Sequence, residues 1–143
     1  MPLNLALTLL GKFMNSISLH FKTANTEEVE NYLREHGMSS GEYRSEDGKY
    51  FYISQWDDYY EGIDYNEDVA RRIIKLLGAK PSTIYYIEVR NAFSRFCLGK
   101  IIPLLNEFPG ILDDHRGNLV KGEALQQIYE SDSNSGVYNL GGQ

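Results

Sequence analysis

A single cysteine, Cys97, occurs in 143 residues, so no intrachain disulfide can form, and no cysteine and histidine pairs stand at zinc-binding spacing. The fold must then rest on packing alone, and this cysteine usage suits a reducing, cytoplasmic setting. Long apolar runs are missing too. The best candidate, Leu3 to Leu10, lacks the basic leader and small-residue cleavage site of a signal peptide. It is also far shorter than the roughly 20 residues that span a bilayer. Neither a phosphate-cradling glycine run, nor a His-Glu-x-x-His pair, nor a Ser-His-Asp order is found. His20 and His36 have no serine or cysteine at a motif-like position, and Cys97 falls on the apolar stripe of an expected helix. No cofactor, no metal and no enzymatic activity are expected on these grounds.

What is present suits one ordinary globule. Apolar residues make up 42% and charged residues 24% of the chain, and a domain of this length buries roughly 70% of the surface its unfolded form exposes. The organisation expected is an N-terminal extension over residues 1–14, a single α/β domain over 15–130, and a flexible Ser-, Asn- and Gly-rich tail over 131–143. The net charge of −6 is unevenly spread. Residues 41–68 hold nine of the 20 acids and two of the 14 bases, so the rest of the chain is close to neutral. A field of that sign repels phosphate backbones and attracts basic proteins, which argues against direct binding of nucleic acid or anionic membrane.

Strand and helix signals alternate along the chain. Ile17, Leu19 and Phe21 alternate with Ser18, His20 and Lys22, as in a half-buried strand. Asn25 and Glu28 have capping-box spacing, Val29, Tyr32, Leu33 and His36 share a helix face, and Gly37 ends it. Glu42 to Ser45 and Lys49 to Ser54 predict a hairpin turning at Asp47-Gly48. Asn66 caps a helix over Glu67 to Leu77, with Val69, Ile73, Leu76 and Leu77 as its buried stripe and Gly78 as its stop. Thr83 to Val89 suits a central strand covered on both faces.

Ser94 to Phe108 predicts a helix bent at Pro103, with Cys97, Ile101, Leu104, Leu105 and Phe108 inward. Two short strands, Ile111-Leu112 and Leu119-Val120, then flank a turn, and a helix over Glu123 to Tyr129 follows. The expected class is α+β: a ferredoxin-like β-α-β-β-α-β sheet with helices on one face, extended by a helix, a short hairpin and a C-terminal helix.

Two segments are candidates for function. The stretch from Trp56 to Asp68 mixes Trp56, Tyr59, Tyr60 and Tyr65 with Asp57, Asp58, Glu61, Asp64, Glu67 and Asp68. Such aromatics offer contact area at low rotamer entropy, and the acids steer a basic partner, so all ten residues form a candidate partner-binding epitope. The competing account folds the aromatics onto the sheet and leaves the acids as a solvated face. The second segment, Asp113-Asp114-His115, carries ligating and titrating groups, and a small metal-dependent hydrolase built on it is one alternative function. The local account is a tight turn in which an aspartate bonds nearby amides. A ligand-sensing adaptor domain is the other alternative.

The strand Asn15 to Phe21 leading into Thr26 to Leu33, together with Phe108-Pro-Gly-Ile-Leu-Asp-Asp-His115, Gly117 to Val120 and a closing helix, resembles small immunity proteins encoded beside bacterial polymorphic toxins. The contact-dependent growth inhibition and Sit-type immunity proteins are of this kind. The resemblance covers residues 15–129 in layout and no catalytic motif. It implies a cytoplasmic toxin inhibitor that binds a cognate toxin domain, commonly a nuclease, and occludes its active site or substrate surface. Individual contact residues are not carried over by so divergent a group.

Overall fold

The computed structural model describes residues 14–44, 50–63, 65–90 and 95–131, with the backbone alone for residues 14, 15, 90, 95 and 131. The expected extension and tail lie outside the described residues, apart from Met14 and Ser131, as do the Asp47-Gly48 turn and Asp64. The elements are β1 (Met14–Phe21), α1 (Thr26–Glu35), β2 (Glu42–Arg44), β3 (Tyr50–Gln55), α2 (Glu67–Leu77), β4 (Thr83–Arg90), α3 (Arg95–Glu107), β5 (Gly110–Asp113), β6 (Leu119–Lys121) and α4 (Gly122–Ser131). None of these helices is long and apolar enough to cross a membrane.

Local chemistry sets the helix ends. Asn25 Oδ1 accepts the Glu28 amide at 2.8 Å while Glu28 Oε1 accepts the Asn25 amide, so the capping box at α1 is complete. Asn66 Oδ1 accepts the amides of Asp68 and Val69, and Gly78, at φ 78°, closes α2 in the left-handed conformation that glycine adopts without penalty. Pro103 lies inside α3 on its exposed side, removing the bond to the Gly99 carbonyl where no packing is lost.

The six strands form one antiparallel sheet in the order β2-β3-β4-β1-β5-β6. This corrects the ferredoxin-like expectation. In that arrangement each helix links parallel strands, whereas here β1 and β2, and likewise β3 and β4, run antiparallel across α1 and α2. Such returns need no crossover. The one parallel return is β4-α3-β5, whose two strands flank β1 on either side.

Both faces are covered, which is the second correction. Ile17, Leu19, Phe21, Phe51, Ile53, Tyr85, Ile87, Val89 and Leu112 share a core with Val29 and Leu33 of α1, Cys97, Leu98 and Ile101 of α3, and Leu125 of α4. Ile111, whose side chain must point opposite to that of Leu112, packs with Ile73 and Leu77 of α2. Three helices therefore lie on one face and α2 on the other. The α2 stripe runs through Ala70, Ile73 and Leu77, so Leu76, expected inward, is 41% exposed. β4 sits centrally, between β3 and β1, as its composition predicts.

Candidate functional site

The α2 face of the sheet carries the residues that β1, β4 and β5 turn away from the apolar core: Ser16, Ser18 and His20, Ile84 and Tyr86, Ile111 and Asp113. The segment between β3 and α2 folds over this face. It leaves the sheet with the Trp56 amide still bonded to the Ile84 carbonyl at 2.8 Å, then turns through bonds from Glu61 N to Asp58 O and from Tyr65 N to Gly62 O.

Its aromatic rings interlock. Tyr59 meets Trp56, Tyr60 and His20 edge to face, each with centroids 5.0 Å apart, and Tyr65 at 6.0 Å. Tyr59 is only 6% exposed and packs on Ala70 and Ile84, and burial pushes its hydroxyl up to about 12. It is the hub that holds the segment, buried among its neighbours rather than displayed as the expected epitope had it, with access only through the cavity that it helps to line. Trp56 and Tyr60 are half-buried and Tyr65 is 38% exposed. Asp57, Asp58, Glu61, Glu67 and Asp68 are all exposed. Two of them are partly neutralised, since Arg71 lies 3.0 Å from Glu67 and 3.9 Å from Asp68. Ile63, wholly exposed in the same turn, escaped the sequence reading because a lone isoleucine in a polar loop carries no pattern.

Beneath the segment runs a polar chain that the sequence did not announce. Ser16 Oγ lies 2.9 Å from His115 Nδ1, His115 Nε2 lies 3.0 Å from Ser18 Oγ, and Ser18 Oγ lies 2.8 Å from His20 Nε2. A serine does therefore stand beside His20, two residues away on the same strand face. His20 Nδ1 is buried and has no partner among the described residues. A buried orphan N–H costs more than a buried orphan lone pair, so the proton sits on His20 Nε2. The chain then runs from His20 to Ser18, from Ser18 to His115 Nε2, and from His115 Nδ1–H to Ser16.

Electrostatics follow from burial. Desolvation, with His115 second, pushes His20 down to about 3, so its ring is neutral. Desolvation also lowers His115, against the opposing pull of Asp113 and Asp114. Asp113 is raised by burial, while the His115 amide donated to its Oδ1 at 2.8 Å, the His115 ring and Arg72 work the other way.

Asp114, by contrast, is consumed by the turn: Oδ1 accepts the amides of Arg116 and Asn118, and Oδ2 accepts the Asn118 side chain. That is the local account of Asp113 to Gly117, with His115 at φ 59° and Gly117 at φ 96°. The two aspartates and the histidine do not converge, and no group of three ligating side chains able to hold a metal occurs among the described residues. Ser16 and His115 resemble a nucleophile and base. The carboxylate of Asp113 holds the backbone of His115 rather than its ring, however, so the third member of a catalytic set is not in place.

A cavity of about 560 Å³ opens beside this chain, walled by Trp56, Tyr59, Tyr86 and His115, with Ser16 and Asp113 among its polar groups. Asn66 and Val69 bring the start of α2 to its edge. Tyr86 and His115 are nearly parallel, 20° apart with centroids at 6.4 Å, and Trp56 stands at 84° and 81° to them. Compared with protein-family models, with curated proteins and with solved structures, the chain matches none of them.

Proposed function

We propose that this chain is an immunity protein that acts in the cytoplasm, binding a basic, nuclease-type toxin domain and neutralising it by covering its active site or substrate surface. The observation that carries this reading is the rim of exposed acids, Asp57, Asp58, Glu61, Glu67 and Asp68, displayed on a segment that its own aromatic rings already hold. Steering by such a rim accelerates encounter with a positively charged cleft, and a prefixed segment loses little conformational entropy on docking. Trp56, Tyr60 and Tyr65 supply half-exposed aromatic area, and Ile63 an apolar tip. No chemical step is required of the protein.

The test begins with affinity capture of the tagged chain at low and high salt, followed by assay of any near-equimolar basic partner for toxicity alone and after mixing. Replacing Asp57, Asp58, Glu61 and Asp64 together with serine should lower the association rate at least tenfold at low salt, with the fold intact. A captured toxin that the quadruple variant binds at the wild-type rate would remove the segment as the epitope.

A ligand-sensing adaptor is the second reading, favoured by the cavity alone. It predicts a small molecule bound at high affinity and no neutralised partner.

A further inference from the structure

We propose that the cavity between the 56–66 segment and the sheet is a socket for a planar organic cation, a guanidinium, with Asp113 as its counter-ion and the rings of Trp56 and Tyr86, which stand at 84° to each other, in its walls. Its lining is rich in aromatic rings, whose π faces attract cations and repel anions. Asp113, Trp56, Tyr59 and Tyr86 line it, while neither lysine nor arginine does so among the described residues. Asp113 is 5% exposed, and Arg72 acts on it without an ion pair to it. A buried carboxylate of that kind gains most from a desolvated donor fork.

The guanidinium fits better than an ammonium for two reasons. A flat ion can stack on one of the Trp56 and Tyr86 rings while the other, at 84° to it, meets the ion's edge. It also presents several N–H groups at once, and the second lone pair of Ser16 Oγ remains free to accept one of them, because His115 Nδ1–H uses the other. The volume falls within the range of sites that enclose small ligands, so a guanidinium enters without steric hindrance. The exposed acids Asp57, Asp58 and Glu61 on the same segment add a field that draws a cation inward.

The source we assign is an arginine side chain of the basic partner, and only that assignment rests on the immunity reading; the cation chemistry stands independently of it. The site changes the sense of the interface. The protein receives an anchor from its partner rather than only inserting its own.

Trp56 is the single tryptophan of the chain and a wall of the socket, so its emission reports occupancy directly. Wild-type protein is titrated with N-acetyl-arginine amide, with the lysine analogue, and with the citrulline analogue, which has the same shape without the charge. The expected result is a saturable change for the arginine compound, at least tenfold weaker binding of the citrulline compound, intermediate binding of the lysine compound, and at least tenfold loss in Asp113→Asn. That replacement keeps an oxygen for the His115 amide and so preserves the turn. Tyr86→Leu provides a second variant, expected to lose several-fold affinity.

Equal response to arginine and citrulline in the wild type overturns the socket without any variant being needed. The two readings separate cleanly. Arginine binding without a toxin partner keeps the socket and removes its assigned source, whereas a neutralised toxin with no arginine response keeps the immunity reading and removes the socket.

Discussion

The two faces of one sheet, built from the same strands, differ in chemistry: one is predominantly apolar, the other mixes apolar packing with a buried polar chain. Toward α1, α3 and α4 the strands present Ile17, Leu19, Phe21, Phe51, Ile53, Tyr85, Ile87 and Leu112, all within one core. Toward α2 they present Ile84 and Ile111, packed under the helix, beside Ser16, Ser18 and His20, joined by hydrogen bonds through His115, and Tyr86 and Asp113 at the cavity. The apolar face stabilises in proportion to area removed from water. Polar groups on the other face add stability only when each finds a partner, and otherwise cost it. The larger core and the polar chain thus lie on opposite sides of a layer one residue thick.

The contrast can be broken first from the apolar side. Phe51 is almost wholly buried between Tyr43 and Phe96, and Phe51→Ala should destabilise the protein by about 3–5 kcal/mol, read by urea denaturation. A loss well under 1 kcal/mol would show that this face does not carry the fold.

The second effect belongs to the polar face and depends on pH. His20 titrates near 3 in the folded protein against an ordinary value of 6.5, so the unfolded chain binds the extra proton between those values. Stability should therefore fall on acidification through this window, by about 1.4 kcal/mol per pH unit from this group alone, and His115 adds in the same direction. Asp113, raised in the fold, binds its proton early and offsets part of the loss. Denaturation midpoints at pH 7, 6, 5 and 4 measure the net slope, and His20→Asn should flatten it.

The smallest effect is expected at Ser18. Ser18→Ala removes the link that both histidines share and should cost about 1–3 kcal/mol, less than the core truncation although Ser18 is equally buried. A cost as large as that of Phe51→Ala would mean that the two faces stabilise alike.

How much of this was legible in the sequence depended on how local its cause is. α2 was readable to its ends because Asn66 and Gly78 act within one turn, and α1 was readable through Asn25 and Glu28. Strand order was not, because the partners of β1 are chosen by packing on both faces and lie far along the chain. The 56–68 segment was legible as acidic and aromatic, but Tyr59 gave no sign of pointing inward. The alternation of Ser18, His20 and Lys22 with apolar residues reads as a half-buried strand. Ser18 and His20 are nevertheless buried, with Tyr59 of the 56–66 segment against the His20 ring, and the continuous β4 run beside them, which calls for cover on both sides, is the clue.

Placing β1 between β4 and β5 has a kinetic consequence. The strand that leaves the ribosome ahead of every other described element can pair only with residues beyond 82 and beyond 109, so it stays unpaired until most of the chain has been made. The β3-β4 and β5-β6 neighbours are nearer in sequence, so each closes a shorter loop than β1 does. Until β4 has been made, Ile17, Leu19 and Phe21 of β1 have no strand partner, and they stay an apolar stretch open to a chaperone.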